Sequence, residues 1–248
     1  MYTPSAEMQF EQSSVPQQHQ VAKVATTAPF HWLNAGIKDF RTAPGLSLLY
    51  GFLFAGATAG VYLLMMSMPW YSIAYLTGLV VLGPFMASGL YAASRDMEHG
   101  RPASINNSLR LLIKRSTYLA LFAVTLSLVM AAWVRIAALI FAVQSNTLNP
   151  SIEAYTSFFA SPEGWIALSY YAGIGLLLVS VVFVISAVAA PMILDKDVDF
   201  ITAMQTSYRA VVGNPGAMAT WALMIAAMTA VGVATAFIGL AVIFPVLG

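Results

Sequence analysis

Arg135 is the one charged side chain inside the long apolar segments of the sequence, which makes it the first candidate for chemistry. A charge at the bilayer centre costs at least ~2.5–3.5 kcal/mol on insertion scales, so such residues often line a substrate or proton path. Arg135 lies only about eight residues from the outer end of its segment, however. Its guanidinium can therefore snorkel to the headgroups or pair with Glu153 or Glu163. We favour that structural role, and we expect Trp133 to pack at the helix surface rather than in a cofactor pocket.

Three carboxylates, Asp195, Asp197 and Asp199, alternate after the fourth apolar segment. Their spacing is similar to the start of a calcium loop, but the glycine and the distal glutamate of that motif are absent. Carboxylates also cap helices, because they accept hydrogen bonds at the positive end of the helix dipole. We therefore predict that Asp197 or Asp199 caps the following helix, and we predict no metal site.

The loop at 94–101 is the most charged part of the chain, and Arg95 and Glu98 are its candidate residues. It is either a surface that docks a partner or a solvated turn whose basic residues fix the topology. The helix that follows carries Arg110, Lys114 and Arg115 among leucines, a pattern that suits a surface helix on anionic lipid. The sequence leaves these alternatives open.

Gly56 and Gly60 form a small-xxx-small pattern inside the first apolar segment. Such a pattern allows another helix backbone to approach closely. Packing within the chain is the more common use, and association with a partner helix is the other.

The elements that carry these residues are membrane helices. The chain has 248 residues, of which 59% are hydrophobic and only 8% are charged, whereas a soluble domain has roughly 25% charged residues. Five segments reach the ~20 apolar residues that a span needs, at about 45–68, 70–93, 117–143, 165–191 and 217–247. The last is either one tilted helix or a helix that breaks near Gly232 or Gly239, which leaves a sixth, short segment open. The predicted fold is an all-α transmembrane bundle over 30–248, preceded by a disordered cytoplasmic tail over 1–29.

Basic residues give the orientation. Ten of the eleven Lys and Arg residues lie before the first segment or in the second and fourth loops, and the eleventh is Arg135. By the positive-inside rule these loops and the N-terminus are cytoplasmic. Short amphipathic stretches end at Ala43-Pro44-Gly45 and at Asn214-Pro215-Gly216. We interpret them as interfacial helices on the cytoplasmic side, either as parts of an internal repeat or as a chance likeness.

Composition also disfavours several classes of function. The net charge of +1 lacks the dense basic face of a nucleic-acid-binding protein. The absence of cysteine disfavours thiolate metal sites, and His19, His31 and His99 all lie outside the apolar segments. We therefore expect no cofactor. We also predict no enzyme activity, because no constellation for acid–base or nucleophilic catalysis is visible.

The pattern of Gly, Pro and charged residues between and within the apolar segments resembles that of a bacterial family of predicted integral membrane proteins, the domain of unknown function 2189. The resemblance covers about 30–248. It is carried by Gly83-Pro84-Phe85, Gly89-Leu90-Tyr91, Ser94-Arg95, Glu98-His99-Gly100, Trp133, Arg135, Asp197-Val198-Asp199, Asn214, Trp221, Gly239-Leu240, Pro245 and Gly248. Some members carry a label that links them to cytochrome c oxidase, so the resemblance implies a respiratory complex as one class of partner.

Together these observations favour a non-catalytic, multi-pass protein of the bacterial inner membrane. The leading expectation is an accessory or assembly subunit that packs against a larger complex, with respiratory complexes as one class of partner, through other subunits or through self-association. The alternative is a small transporter or a lipid-handling protein in contact with the bilayer. A polar cavity between the helices would favour the alternative over the subunit.

Overall fold

The computed structural model describes residues 21–67, 86–145, 157, 160–196 and 198–248. Within these ranges every regular element is a helix, as the composition predicts. We number the helices α1 (Ala28–Thr42), α2 (Pro44–Ser67), α3 (86–98), α4 (Ile105–Ser145), α5 (Pro162–Ser186), α6 (Ala189–Asp195), α7 (Phe200–Gly213), α8 (Pro215–Ala234) and α9 (Leu240–Leu247).

Four stretches of the described chain are long and apolar enough to cross a membrane, namely Pro44–Ser67, Ile105–Leu139, Pro162–Asp195 and Pro215–Ala234. They match the predicted spans at 45–68, 117–143, 165–191 and the first part of 217–247. Most of the predicted span at 70–93 lies outside the described residues, and only its last part appears, in α3. The protein is therefore a helical integral membrane protein.

Proline sets the start of several helices. Pro29, Pro162 and Pro215 each occupy one of the first two positions of their helix, and α2 begins at Pro44 itself. The first backbone N–H groups of a helix have no partner inside it, and the fixed φ of proline suits this position.

The final predicted segment, 217–247, is not one span. The chain leaves α8 after Ala234 and turns at Ala236 and Phe237, which have positive φ angles of 52° and 67°. The Thr235 hydroxyl accepts a hydrogen bond from the Gly239 N–H at 2.9 Å inside this turn. The turn sends α9 back against α2 and α1. With eight residues α9 is about 12 Å long, too short to cross the bilayer.

The two Pro-Gly junctions have the same backbone geometry. Ala43, between α1 and α2, has φ −131° and ψ 61°, and Asn214, between α7 and α8, has φ −133° and ψ 56°. Each junction joins a short amphipathic helix to a long apolar one. The likeness between the two sequences therefore corresponds to a repeated local structure.

The folded region begins earlier than the predicted boundary at residue 30. Asn214 accepts a hydrogen bond from Val24 N–H at 2.9 Å and donates one to the Ala22 carbonyl at 3.0 Å. The Lys23 ammonium donates to the Gly213 carbonyl at 2.6 Å. Residues 22–24 are thus held at the α7–α8 junction, because a buried asparagine supplies partners for their backbone. Residues 1–20 of the predicted tail lie outside the described chain.

Candidate functional site

A cavity of about 370 Å³ lies where the ends of most helices meet. Its walls come from α1, the start of α2, α3, the α5–α6 turn, α8 and the end of α9. Since the first residues of α2 and α8 meet the last residues of α3 and α5 here, the cavity lies at one end of the bundle. This is the end with the basic loops, and we call it the basic end.

Aromatic and sulfur-containing side chains form much of the cavity wall. The rings of Trp32 and Trp221 meet edge to face with their centroids 5.7 Å apart. Tyr91, Met97 and Met218 also line the space. Indole and phenol rings offer a negative π face that attracts cations. The wall therefore suits an apolar chain or an organic cation better than it suits an anion.

Asp39 is the only acidic residue among the residues that line this cavity. It lies on α1, is partly buried, and accepts a hydrogen bond from the Ser94 hydroxyl of α3. In the described part of the chain no Lys, Arg or His forms an ion pair with it. A carboxylate has about four acceptor sites, so one hydroxyl donor leaves Asp39 able to accept hydrogen bonds from a cationic group. The cavity thus presents an acceptor for a positively charged group.

A second, smaller pocket of about 310 Å³ lies at the surface on another side of α3. Four basic residues line it, Arg95, Arg101, Arg110 and Lys114. We call this the basic pocket. Its acidic residue, Asp96, is buried, and it contacts Arg101 Nη2 through Oδ1 at 2.8 Å. The basic pocket is therefore net positive, in contrast to the cavity.

The candidate Arg95 holds α3 against the end of α6. Its Nε lies 3.0 Å from Asp195 Oδ1, and Asp195 Oδ2 lies 2.8 Å from Lys196 Nζ. The Arg95 Nε contact is an ion pair without the alignment of a hydrogen bond. Glu98, the other candidate of this loop, is exposed at the end of α3.

The capping interpretation of Asp199 is confirmed. Its Oδ1 accepts hydrogen bonds from Ile201 N–H at 2.9 Å and Thr202 N–H at 3.0 Å, and Thr202 Oγ1 donates to Oδ2 at 2.6 Å. The Thr202 hydroxyl and these N–H groups stabilise the carboxylate, which lowers the pKa of Asp199 below its usual range. The other predicted capping residue, Asp197, lies outside the described residues.

Arg135 is exposed on the outer surface of α4, away from both pockets. No ion pair joins it to Glu163, although both residues are described. Trp133 packs against α5, where a methyl group on Gly175 would lie 3.4 Å from its ring. Neither residue is among those that line the cavity or the basic pocket described above.

The small-residue pattern at Gly56 and Gly60 makes no close contact in the described chain. A methyl group added at either position would have no described heavy atom within 4 Å. The close helix contact is made one turn earlier, where a methyl group on Gly51 would overlap the Ala241 carbonyl oxygen of α9. Our expectation that Gly56 and Gly60 pack within the chain is thus not met there, because α9 lies against the Gly51–Ala55 face of α2.

Among the described side chains there is no group of three or more His, Asp or Glu residues that could hold a metal ion. The polar side chains among the residues that line the cavity include Asp39, Ser47, Ser94 and Tyr91, and the indoles of Trp32 and Trp221. That set can bind and orient an amphiphile.

The fold and pockets define a polytopic α-helical membrane protein with two chemically different sites at one end. The chain belongs to the family described as predicted integral membrane protein (DUF2189), which matches residues 72–195, half of its length. No curated protein and no solved structure matches this chain.

Asp39, Trp32 and Trp221 were not predicted from the sequence as site residues, although Trp221 is one of the residues that carry the family resemblance. An available signal was the composition of the amphipathic helix, since Asp39 is its only carboxylate and lies in the turn before Pro44. No local sequence pattern predicts that Trp32 and Trp221 lie next to each other, because nearly 190 residues separate them in the chain. Only the packing of α1 against α8 brings their rings together.

Proposed function

We propose that this protein is a non-catalytic lipid-handling protein that binds an amphiphile with a positively charged head in its cavity. The observation that carries the proposal is the Asp39 carboxylate in a largely apolar, aromatic-walled space of about 370 Å³. Ligand sites of this kind combine apolar walls with a few placed polar groups. The Asp39 carboxylate in this cavity is the observation that supports lipid handling, the alternative expectation.

An ammonium group is the head that the cavity fits best. It can pair with Asp39 while its substituents contact the rings of Trp32 or Trp221. Cation–π contacts contribute about 0.5–2 kcal/mol, and hydrogen bonds to a charged group contribute about 1.5–3 kcal/mol. The carboxylate would repel an anionic head, and a neutral head could offer it only a hydrogen bond without the opposite charge.

The location is part of this proposal. The positive-inside rule supports an inner membrane protein of a bacterium with its N-terminus and basic end in the cytoplasm. The amphiphile would then enter from the cytoplasmic leaflet, because the cavity lies at the basic end. Fusion of a reporter enzyme to the N-terminus and, separately, into the 99–104 loop tests this orientation.

Binding of a fluorescent long-chain primary alkylammonium probe, whose N–H groups can donate to Asp39, tests the cavity in the purified protein. We expect Asp39→Asn to weaken binding by at least about tenfold, since the lost charge-assisted contact is worth about 1.5–3 kcal/mol. Glu98→Gln is the matched control, because it removes a carboxylate at the same end outside the cavity. Equal affinities for Asp39→Asn and Glu98→Gln would refute the proposed site.

A specific observation also favours the subunit interpretation as a second candidate. Within each of the four candidate spans only 17–28% of the most apolar window is buried inside the chain. A methyl group at Gly56 or Gly60 of α2 would meet no described heavy atom within 4 Å, and this small-residue spacing allows close approach of another helix. An accessory or assembly subunit of a larger complex, respiratory complexes included, would place a partner helix there.

Purification from native membranes in mild detergent, with mass spectrometry and a visible spectrum, tests this second candidate. A stoichiometric partner that is lost on Gly56→Leu would support it, and haem bands in the same fraction would assign a respiratory complex. Recovery of the protein alone would refute it.

A further inference from the structure

The basic pocket is separate from the proposed amphiphile cavity, and its chemistry is the opposite. Four cations and one carboxylate line a space of about 310 Å³. We propose that the basic pocket binds a phosphate group at the membrane surface, supplied by an anionic lipid headgroup or by free phosphate. This proposal goes beyond the function proposed for the cavity and does not depend on it.

The spacing of Arg110 and Lys114 indicates an anionic ligand. They are four residues apart on α4, so their side chains lie on the same helix face. Like charges at this spacing destabilise a helix by about 0.2–0.5 kcal/mol. Among the residues that the structure describes, neither side chain has an ion-pair partner. A phosphate between them would remove this repulsion.

The turn after α3 fixes the third cation, Arg101. Gly100 has φ +70°, and the hydrogen bonds from Gly100 N–H to the Met97 carbonyl and from Arg101 N–H to the Asp96 carbonyl form a Schellman motif. This motif turns Arg101 back over α3 toward the pocket. Its position is set by the backbone, so less conformational entropy is lost when a ligand binds.

Asp96 does not neutralise the pocket. Its carboxylate is already engaged, at 2.8 Å by Arg101 and at 3.2 Å by the Asn107 side-chain amide. A guanidinium has five N–H donors in a planar fork, so Arg101 can bind a phosphate oxygen while it contacts Asp96. Asp96 therefore acts as a positioning residue for Arg101.

The surroundings favour a lipid as the source of the phosphate. Ile105, Leu109 and Ile113 are exposed and recur every four residues along the same helix. This face is suited to acyl chains, and the neighbouring Arg110–Lys114 face would meet the headgroup. Basic pockets beside membrane helices bind anionic headgroups in this way.

Native mass spectrometry of the full chain in a non-ionic detergent tests the site, with phosphatidylglycerol and phosphatidylcholine as probes. We expect Arg110→Gln/Lys114→Gln to weaken phosphatidylglycerol binding about 30-fold, which corresponds to about 2 kcal/mol for two surface charges. The control is Lys38→Gln/Arg41→Gln, which removes two exposed charges of α1 that line neither pocket. We expect the control to lose less than threefold.

Two further measurements separate the possible explanations. Arg110→Lys keeps the positive charge, and we expect its affinity for phosphatidylglycerol to lie within threefold of that of the unchanged protein. This result would show that the loss in the double variant comes from the missing charge and not from misfolding. The second measurement adds inorganic phosphate in the millimolar range as a competitor of phosphatidylglycerol. If it displaces phosphatidylglycerol or binds equally well alone, the site is a phosphate site for a soluble ligand; if it does not, the ligand is the lipid.

The proposal is overturned if both double variants lose phosphatidylglycerol equally, because general surface attraction would then explain the binding. It is also overturned if phosphatidylglycerol and phosphatidylcholine bind with the same affinity to the Asp39→Asn protein, in which the cavity no longer offers a carboxylate to the choline head. Asp39→Asn should leave phosphatidylglycerol binding unchanged, so failure of the cavity proposal and failure of this one are distinguishable.

Discussion

The contact between α2 and α9 rests on the absence of a side chain at Gly51. A methyl group there would overlap the Ala241 carbonyl oxygen and lie 2.7 Å from its carbon. Carbon atoms in van der Waals contact are about 3.5–4.0 Å apart, so Gly51→Ala must push the two backbones apart by about 1 Å. Ala55, Leu240 and Ala241 form a buried cluster at this contact, and the separation would open it.

We expect Gly51→Ala to cost about 1–3 kcal/mol, the usual range for overpacking. For a chain of this size a loss of 2 kcal/mol lowers Tm by about 4–8 °C. Gly56→Ala is the matched control, because it is the same substitution on the same helix with no described heavy atom within 4 Å of the added carbon. We expect Gly56→Ala to be neutral or slightly stabilising, since alanine favours helix more than glycine does.

Thermal unfolding in detergent, followed by tryptophan fluorescence, measures both variants. A thiol crosslinker between Phe54→Cys and Phe244→Cys reports directly on α9, because these rings are stacked 4.0 Å apart and the chain has no native cysteine. We expect Gly51→Ala to lower the crosslinking yield and Gly56→Ala to leave it unchanged. Equal Tm values and equal yields would show that α9 does not pack on this face of α2.

Three other predictions concern single residues. Asp199→Ala should lower the free energy of unfolding by about 1 kcal/mol at pH 7, because a helix cap is lost. Since the folded-state pKa of Asp199 is lowered, the cap contributes stability above the unfolded-state pKa of about 4 and loses it as the pH falls through the folded-state pKa. Tm measurements at pH 7 and pH 3 would detect this change. Asn214→Ala removes hydrogen bonds to Ala22, Val24 and the Ala210 carbonyl, so we expect a loss of about 2–4 kcal/mol and faster tryptic cleavage after residue 23. Arg135→Leu should change Tm by less than about 2 °C, since the side chain is exposed and unpaired with any described carboxylate; a larger drop would indicate a partner outside the described residues.

Local chemistry made part of the fold predictable. Apolar runs of about 20 residues specify membrane helices because unsatisfied backbone groups are too costly in lipid. The Pro-Gly junctions after Ala43 and Asn214 were also visible, since proline and glycine restrict the backbone within a few residues. Asp199 was predictable as a cap for the same reason, because a cap needs only the N–H groups of the next turn.

The path of α9 was not predictable in the same way. The sequence leaves open either one tilted helix or a break near Gly232 or Gly239, whereas the chain reverses at Ala236 and Phe237, which carry no turn signal. Positive φ angles at such residues cost energy and persist only when packing compensates. Here the compensation is the distant contact of α9 with Gly51 and Gly36, where a methyl group would overlap the carbonyl oxygens of Ala241 and Val246.

The choice between small-residue faces depends on the same distant contact. Gly51 with Ala55 and Gly56 with Gly60 have equivalent spacing in one helix. Only the first pair meets α9, so the pattern alone could not tell which face packs within the chain. The second pair stays the better candidate for a helix outside the chain.

The charge arrangement around α3 supports treating the two pockets as separate binding sites. Ser94 and Arg95 are consecutive, and since residues in a helix are about 100° apart, Ser94 lines the cavity with Asp39 while Arg95 lines the basic pocket. Ten of the eleven basic residues lie before the first apolar segment or in the second and fourth loops. None of them forms an ion pair with Asp39 in the described chain. If the basic residues served only to fix the topology, one of them could form an ion pair with Asp39 at little cost in free energy. Their segregation instead leaves an acceptor for a cation on one side of α3 and donors for an anion on the other, which is the arrangement that two ligands of opposite charge require.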